Sequence, residues 1–520
     1  MKSKITLLIF FSFVVEISFT QIGRRFIEYN DCRSLIYNNG FFGFNDQLSG
    51  PSYEVPKGSG NHTLFAFSPL WIGEVQDTLV GAAAVYEAQN AFSGPVASDY
   101  SDAWHESRRK LFPVFKSQID YHIQNWDDPS YTIPNQLLDW PAMGNPSLNT
   151  SQYNAPFVDF NESGIYEPEK GDYPLIVGDY AVFGIYNYDV NNIDNNLNNT
   201  EFPIEVQVLA YQFSSTDQWL NQATFLSYRV KNRSEEMIKN FQWGSFIDID
   251  IGYPFDDYFG SDSTRNLVYG YNGPDFDPGF AGSPGYGQNP PAQGIVLLNK
   301  KLHTANMMTY TGTHELSNLA NLHNLMKGRN SAGEPNLDSK GKVTRFIYKE
   351  PPYVTDSESM YQLGLEADIQ RNIISAEPID LAPGMSECYH YAFVYGRNST
   401  DHILSVEEVI KRTDSIQKFY DENIDFPCDF LNGSMNTTVI EKENEIKIYP
   451  NPANHFVTIE SDKEVTAVKV YSTDGKLSFE DDFEPVKSKK IDLSSLQNGM
   501  YLVNVYFQNG TQSYKRVLKK

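Results

Sequence analysis

Asp159, Asn161 and Ser163 stand at alternate positions in the stretch DFNESGIYEPEKGDYP (159–174), followed directly by Gly164 and Ile165. Short oxygen-bearing side chains at positions one, three and five of a loop can point at one centre. A glycine at six allows the sharp turn, and a backbone carbonyl at seven adds a further oxygen. That is the first half of a calcium-binding loop. The second half departs from an EF-hand, because position twelve is Lys170, where a bidentate glutamate would stand. Glu167 or Asp172 must supply that ligand instead, and Pro168 and Pro174 exclude a full exiting helix. The expectation is a loop without EF-hand helices, in which Asp159, Asn161, Ser163, the Ile165 carbonyl, Glu167 and Asp172 surround Ca²⁺ and stiffen the turn. The alternative is a turn held by its own Asx hydrogen bonds, with no metal.

A second acidic group lies in FIDIDIGYPFDDYFGSD (246–262). In a strand, Ile247, Ile249 and Ile251 face the core and place Asp248 and Asp250 together on the opposite face. Asp256, Asp257 and Asp262 follow on the loop. Close like charges repel unless a cation or hydrogen bonds compensate them, which makes these five a second candidate metal site. A solvated strand edge that guards against aggregation explains the same pattern. A glycosidase acid/base pair needs carboxylates roughly 5–10 Å apart. Asp248 and Asp250 meet that spacing, as does any alternating acidic pair, and no further glycosidase signature accompanies them.

Other catalytic patterns fail. THELSN (313–318) begins like a zinc-protease motif, but Asn318 stands where the second histidine belongs. No G-x-S-x-G, P-loop or dinucleotide fingerprint occurs. Trp71, Trp104, Trp126 and Trp140 could stack on sugar rings, although core packing explains aromatics in a β-rich chain equally well.

The elements that must position these groups are mostly strands. With 33 Tyr, 34 Phe, 35 Gly and 28 Pro in 520 residues, composition favours a mainly β fold rich in loops. Strands are expected at 180–188, 204–213, 223–232, 241–251, 294–299 and 388–396, in an antiparallel arrangement. Helices are expected at 102–126, where Leu111, Phe115, Ile119 and Ile123 share a face and Pro113 marks a kink or a late start, and from Ser405, which has capping-box spacing to Glu408. A formal charge of −25 argues against nucleic acid as a partner and against an anionic membrane surface. Three cysteines cannot build a disulfide framework, and Cys388–Cys428 is the pair expected, since both lie in the same late segment.

The first residues, MKSKITLLIFFSFVVEISFTQ, have Lys2 and Lys4, an apolar run from Ile5 to Val15, and then Ser18 and Thr20. That is the layout of a secretory signal peptide, 1–20. An N-terminal anchor is the alternative, but the run is short and Glu16 interrupts it. No transmembrane segment is expected in the mature chain. A β-rich extracellular region (21–428), a polar linker (429–445) and a small C-terminal β-sandwich (446–520) follow.

That last segment closely resembles the type A C-terminal sorting domain of the Bacteroidetes type IX secretion system. The resemblance rests on YPNPA (449–453), VKVYSTDGK (468–476), IDLSSLQNGMYLVNV (491–505) and the basic end YKRVLKK (514–520). Carried over to this chain, the sorting residues are Tyr449, Pro450, Asn451, Pro452, Gly475, Gly499, Tyr501, Lys515, Lys519 and Lys520. The resemblance implies Sec-dependent export, passage through the type IX translocon, and release or attachment at the cell surface. The large region is similar to an uncharacterised extracellular region of type IX cargo, through PLWIGEV, WPAMGNP, APFVDFNESGIYEPEKGDYPLIVGD, FLSYRVKNRS, DIDIGYPFDDYFGSD and YGQNPPAQG. It departs at Ser261, where that family often has cysteine, and the similarity implies no activity. Two functions therefore stand as expectations. One is a non-enzymatic, calcium-stabilised adhesion, glycan-binding or surface-structural protein, with surface glycan as a candidate ligand. The other is a secreted hydrolase of polysaccharide or protein whose catalytic residues the sequence does not reveal.

Overall fold

A computed structural model describes residues 23–83, 85–86, 91–101, 103–189, 199–424, 446–472, 477–508 and 512–520. The expected signal peptide, Cys428, the linker and Gly475 lie outside the described residues. The chain divides into two compact units, Met1–Pro156 with Pro174–Lys418 and Phe157–Tyr173 with Phe419–Lys520.

The main strands of the larger unit begin with β1 (Ala66–Val75), β2 (Thr78–Ala82), β3 (Phe112–Phe115), β4 (Tyr180–Asn187), β5 (Ile204–Gln212), β6 (Ala223–Asn232) and β7 (Ile238–Asp248). They continue with β8 (Asp257–Asp262), β9 (Leu267–Asn272), β10 (Ala292–Leu297), β11 (Leu302–Met307), β12 (Arg371–Ala376) and β13 (Ser386–Gly396). Antiparallel pairing arranges them in two sheets, β3-β4-β5-β6-β13-β10-β9-β8 and β11-β12-β7-β1-β2.

Aromatic side chains join the inner faces of the two sheets. Trp243 of β7 stacks on Tyr389 of β13 with ring centroids 5.7 Å apart, and lies 5.5 Å from Tyr228 of β6. Phe67 of β1 meets Tyr391 and Phe393 of β13 edge-on at 5.2 and 5.1 Å. These offset and edge contacts match the preferred geometry of aromatic pairs. The outer faces are covered too, which explains why β4 and β5 are buried at every position instead of alternating. Of the longer helices, α1 spans Lys116–Asn125, α2 Leu319–Met326 and α3 Leu404–Asn423. On one sheet, Leu322, Leu325 and Met326 of α2 join Leu70, Ile72, Phe246 and Ile373. On the other, α3 lies close because Gly294 and Gly396 carry no side chain. A Cβ at either would come within 2.6 Å of Val409.

Two expectations about helices need correction. The segment 102–126 is interrupted around Pro113, as that proline suggested, but by a strand: Phe112–Phe115, paired with Tyr180–Phe183, separates a short helix at Ala103–Glu106 from α1, which starts at Lys116. The apolar spacing fits either element, and Pro113 is tolerated because β3 is an edge strand. Ser405 does not cap α3. It is buried within the helix, where its hydroxyl donates to the Pro290 carbonyl and accepts from Asn398 N–H. Cys32 is buried and free, with its thiol pushed up to about 12 by burial, whereas Cys388 is disulfide-bonded.

The smaller unit contains β14 (Ile446–Tyr449), β15 (Phe456–Ser472), β16 (Leu477–Asp492), β17 (Gly499–Phe507) and β18 (Gln512–Lys519). They form one antiparallel sheet, β14-β15-β17-β18, with β16 also on β15. In place of the small β-sandwich expected from the sequence, a single sheet forms. The runs 456–461 and 465–472 join through a shift of register into the single long β15. The sheet curls around Ile446, Val457, Ile459, Val468, Val503, Val505 and Val517.

Phe393 also meets Phe42 at 4.9 Å and Tyr53 at 5.7 Å, so with Phe67 three aromatic rings pack on it. Phe393→Ala is expected to cost about 3–5 kcal/mol, read from urea unfolding. His390 on the same strand is buried, and burial, then Lys300, lowers its pKa to about 4. Its contribution to stability is complete above the unfolded value near 6.5 and is lost as pH falls towards 4. Between pH 7 and pH 4.5 the wild type should therefore lose more of its melting temperature than His390→Gln does.

Candidate functional site

The loop 159–172 is built around two carboxylates that bind main-chain N–H groups. Asp159 accepts from Ser163 N–H (3.0 Å) and Gly164 N–H (2.6 Å), which folds the first turn back on itself. Gly164 has φ +75°, a conformation that glycine adopts without strain. Buried Asp172 closes the far end by accepting from Phe160 N–H (2.8 Å) and Glu167 N–H (2.7 Å). Burial raises its pKa despite those two donors. Asn161 and Ser163 both donate to Glu167 Oε2, at 3.4 and 3.1 Å, and the Ser163 hydroxyl also reaches the Ile165 carbonyl at 3.1 Å. The six expected ligands are thus gathered in one loop. Lys170 bonds Glu167 Oε1 at 2.6 Å and is the first cause of the lowered pKa of that carboxyl.

The second group is arranged differently from the expectation. Ile247, Ile249 and Ile251 are core residues as expected, but Asp248 and Asp250 do not lie on a solvated edge: they are only 2% and 7% exposed. The strand ends at Asp248, so Asp250 lies beyond it. Asp248 Oδ2 accepts a hydrogen bond from Tyr86 Oη and faces Arg371 Nε at 3.9 Å, while Tyr86 Oη also accepts from Arg371 Nε at 2.6 Å. Burial pushes the Asp248 carboxyl up to about 6, and Tyr86 and Arg371 offset part of the rise. Asp250 is raised further by burial and by the charge of Asp248. Asp256 is pushed up to about 7 by burial and then by Asp277, and Asp257 is raised by burial and by Asp250.

Asp262 leaves the group. Burial acts to raise its pKa, but Thr264 and Arg265 outweigh that, and Arg265 Nη1 lies 2.8 Å from it. Asp277, Asn272, Tyr86 and Arg371 were not singled out from the sequence. Asp277, in the turn-rich PDFDPGF, accepts from Tyr253 and Gly279 N–H on Oδ1 and from Tyr286 N–H on Oδ2. Among the described residues, no group of three or more His, Cys, Asp and Glu side chains is set to hold a metal ion. His314 and Asn318 have local roles. His314 contacts Asn336 Oδ1 at 3.0 Å, and Asn318 caps α2 by accepting from Asn321 N–H. Trp71 and Trp140 are buried, as core packing requires.

In the smaller unit the YPNPA and YKRVLKK segments form a clasp. Asn451 Oδ1 accepts from Leu518 N–H (2.9 Å), Ala453 N–H donates to the Leu518 carbonyl (2.7 Å), and Lys520 N–H donates to the Ala453 carbonyl (2.8 Å). Lys519, beside these groups on β18, is buried. Tyr449 Oη donates to Glu460, and Tyr501 Oη to the Gln497 carbonyl at 2.9 Å. Lys515 and Lys520 are exposed.

Residues 447–520 match the family model described as the secretion system C-terminal sorting domain. The segment is a sorting domain, and the chain that carries it is a cargo protein of the type IX secretion system. It is handled by that machinery and exported to the cell surface or secreted. No helix among the described residues is long and apolar enough to cross a membrane. No curated protein matches the chain. Similar solved structures include a polysaccharide lyase, at 10% identity over 70% of this chain and 39% of the lyase, with TM-score 0.18. Another is the heparan sulfate lyase HepC from Pedobacter heparinus, at 10% identity over 91% of this chain and 41% of HepC, with TM-score 0.21. The chain thus spans about two fifths of either lyase, and likenesses at such scores carry no argument about activity.

Tyr86 bonds both Asp248 and Arg371, so its loss should be felt in the fold. Tyr86→Phe is expected to lower stability by about 1.5–3 kcal/mol, the range for a hydrogen bond to a charged group. Urea unfolding of the full chain at pH 8 checks this.

Proposed function

We propose that this exported cargo protein is a non-enzymatic, calcium-stabilised component of the cell surface or its surroundings, working in adhesion, glycan contact or surface structure. The observation that carries this is the burial of the carboxylates beside β7. An acid/base pair must touch its substrate, whereas Asp248 and Asp250 are enclosed and Asp248 is engaged by Tyr86 and Arg371. The loop 159–172 supports the calcium part. It gathers carboxylate, amide, hydroxyl and carbonyl oxygens in a short span, a hard-oxygen donor set that suits calcium. The ion would take Asp159, Asn161, Ser163, the Ile165 carbonyl, Glu167 and Asp172, with Lys170 released from Glu167.

Calcium that binds only the native loop must raise its stability by mass action. Protection of the 159–172 amides from hydrogen exchange in the full chain should increase with calcium, and Asp159→Ala should abolish the increase. Unchanged protection in the wild type would overturn the loop site. Incubation with polysaccharides and proteins should give binding without turnover. Turnover that is lost in Asp250→Asn would overturn the non-enzymatic assignment.

A further inference from the structure

The chain leaves one sheet at Asp248 and enters the other at Asp257. This crossing buries negative charge with little to balance it. Asp257 is fully buried and takes one hydrogen bond, from Ile251 N–H to Oδ2 at 2.9 Å. Its Oδ1 has no partner, and neither do Oδ1 of Asp250, Oδ1 of Asp256 or the amide oxygen of Asn272. A buried oxygen without a donor is a rare and costly feature in a native protein. Four of them at one crossing call for a shared cause. The charges that act on Asp257 are those of Asp250, Asp256 and Asp277, all negative. Arg371 reaches Asp248 and Asp250 from the side, but it is already engaged with Tyr86.

Two glycines let the loops beside this group approach closely. Gly252 has φ +67°, and a Cβ there would lie 1.9 Å from Asp277 Oδ2. A Cβ on Gly273 would lie 2.9 Å from the Asp256 carbonyl. Asp277 itself is spent on the N–H groups of Tyr253, Gly279 and Tyr286, so it positions the loops and leaves its neighbours' oxygens free.

The geometry points to a second calcium site, in which Asp250, Asp256, Asp257 and the amide oxygen of Asn272 bind one ion at the crossing between the two sheets. The donors are all oxygen, one is a neutral amide, and calcium accepts such irregular sets of six to eight ligands, with main-chain and water oxygens completing the shell. The carboxylates are not arranged as a closed metal centre on their own. A divalent charge replaces their repulsion with attraction and draws them together. This site shares no residue with the loop 159–172, and it goes beyond the proposal for that loop.

The test uses the full chain, Asp159→Ala, and Asp159→Ala combined with Asp257→Asn. Bound calcium is measured by equilibrium dialysis, and melting midpoints are recorded in calcium and in chelator. Asp159→Ala should still bind one ion and gain about 5 °C when calcium is a hundredfold above its dissociation constant. Adding Asp257→Asn should remove that ion and that gain, while raising the midpoint in chelator, because one unbalanced buried charge is gone. If Asp257→Asn fails to fold, Asp256→Asn at a half-buried position replaces it, with the same expected loss of the ion. An Asp159→Ala chain that binds no calcium would overturn this site and leave the loop site standing. A double variant that keeps the ion would overturn it as well. Calcium binding that Asp159→Ala leaves undiminished would instead remove the loop site and leave this one intact.

Discussion

The large unit depends on one layer of aromatic contact between two sheets. Trp243, Tyr389, Tyr228, Phe67, Tyr391 and Phe393 hold the sheets together with rings that are wide and stiff. Such rings bury much apolar area while losing little rotamer freedom, so a few of them can fix the spacing and angle of two sheets. The strands in the middle are buried almost throughout, even where they carry Gln207, Ser227 or Gln242, and the buried aspartates stand at strand ends and crossings.

The crossing from β7 to β8 shows what this arrangement demands. A chain that moves from one sheet to the other must pass along the margin of the core, and here it carries Asp248, Asp250, Asp256 and Asp257 with it. Tyr86 and Arg371 deal with the first of these. Asp277 organises the main chain around the others through its three N–H donors. The loop 159–172 solves a smaller version of the same problem, with Asp159 and Asp172 each satisfying two backbone donors.

Much of the fold was legible because period and length agreed. The strands at 180–187, 204–212 and 223–232 fall where runs of β-branched and aromatic residues end at turn-forming residues. The segment 102–126 misled because Leu111, Phe115, Ile119 and Ile123 fit a helix, while the pairing that makes 112–115 a strand involves Tyr180–Phe183, some 70 residues away. The candidate sites were half legible. Alternation correctly sent Ile247, Ile249 and Ile251 inward. It could not show that the aspartates would be buried as well, since that depends on Tyr86, Asn272, Asp277 and Arg371, none of which stands out by spacing. The sorting domain was legible through its resemblance to a known family, and two of the motif segments that carry it, YPNPA and YKRVLKK, bond to each other across the sheet.

The sulfur chemistry of the chain has its own logic. Three cysteines allow three possible pairings, yet only a thiol that can reach a disulfide as thiolate takes part in exchange. Cys32, enclosed beside Tyr53 and Thr224, loses both access and thiolate character once the core closes. Mispairing through it is confined to the interval before the sheets come together. Folding therefore acts as the proofreader for oxidation. Any later reactivity of that sulfur towards an alkylating reagent records, molecule by molecule, how often the core opens.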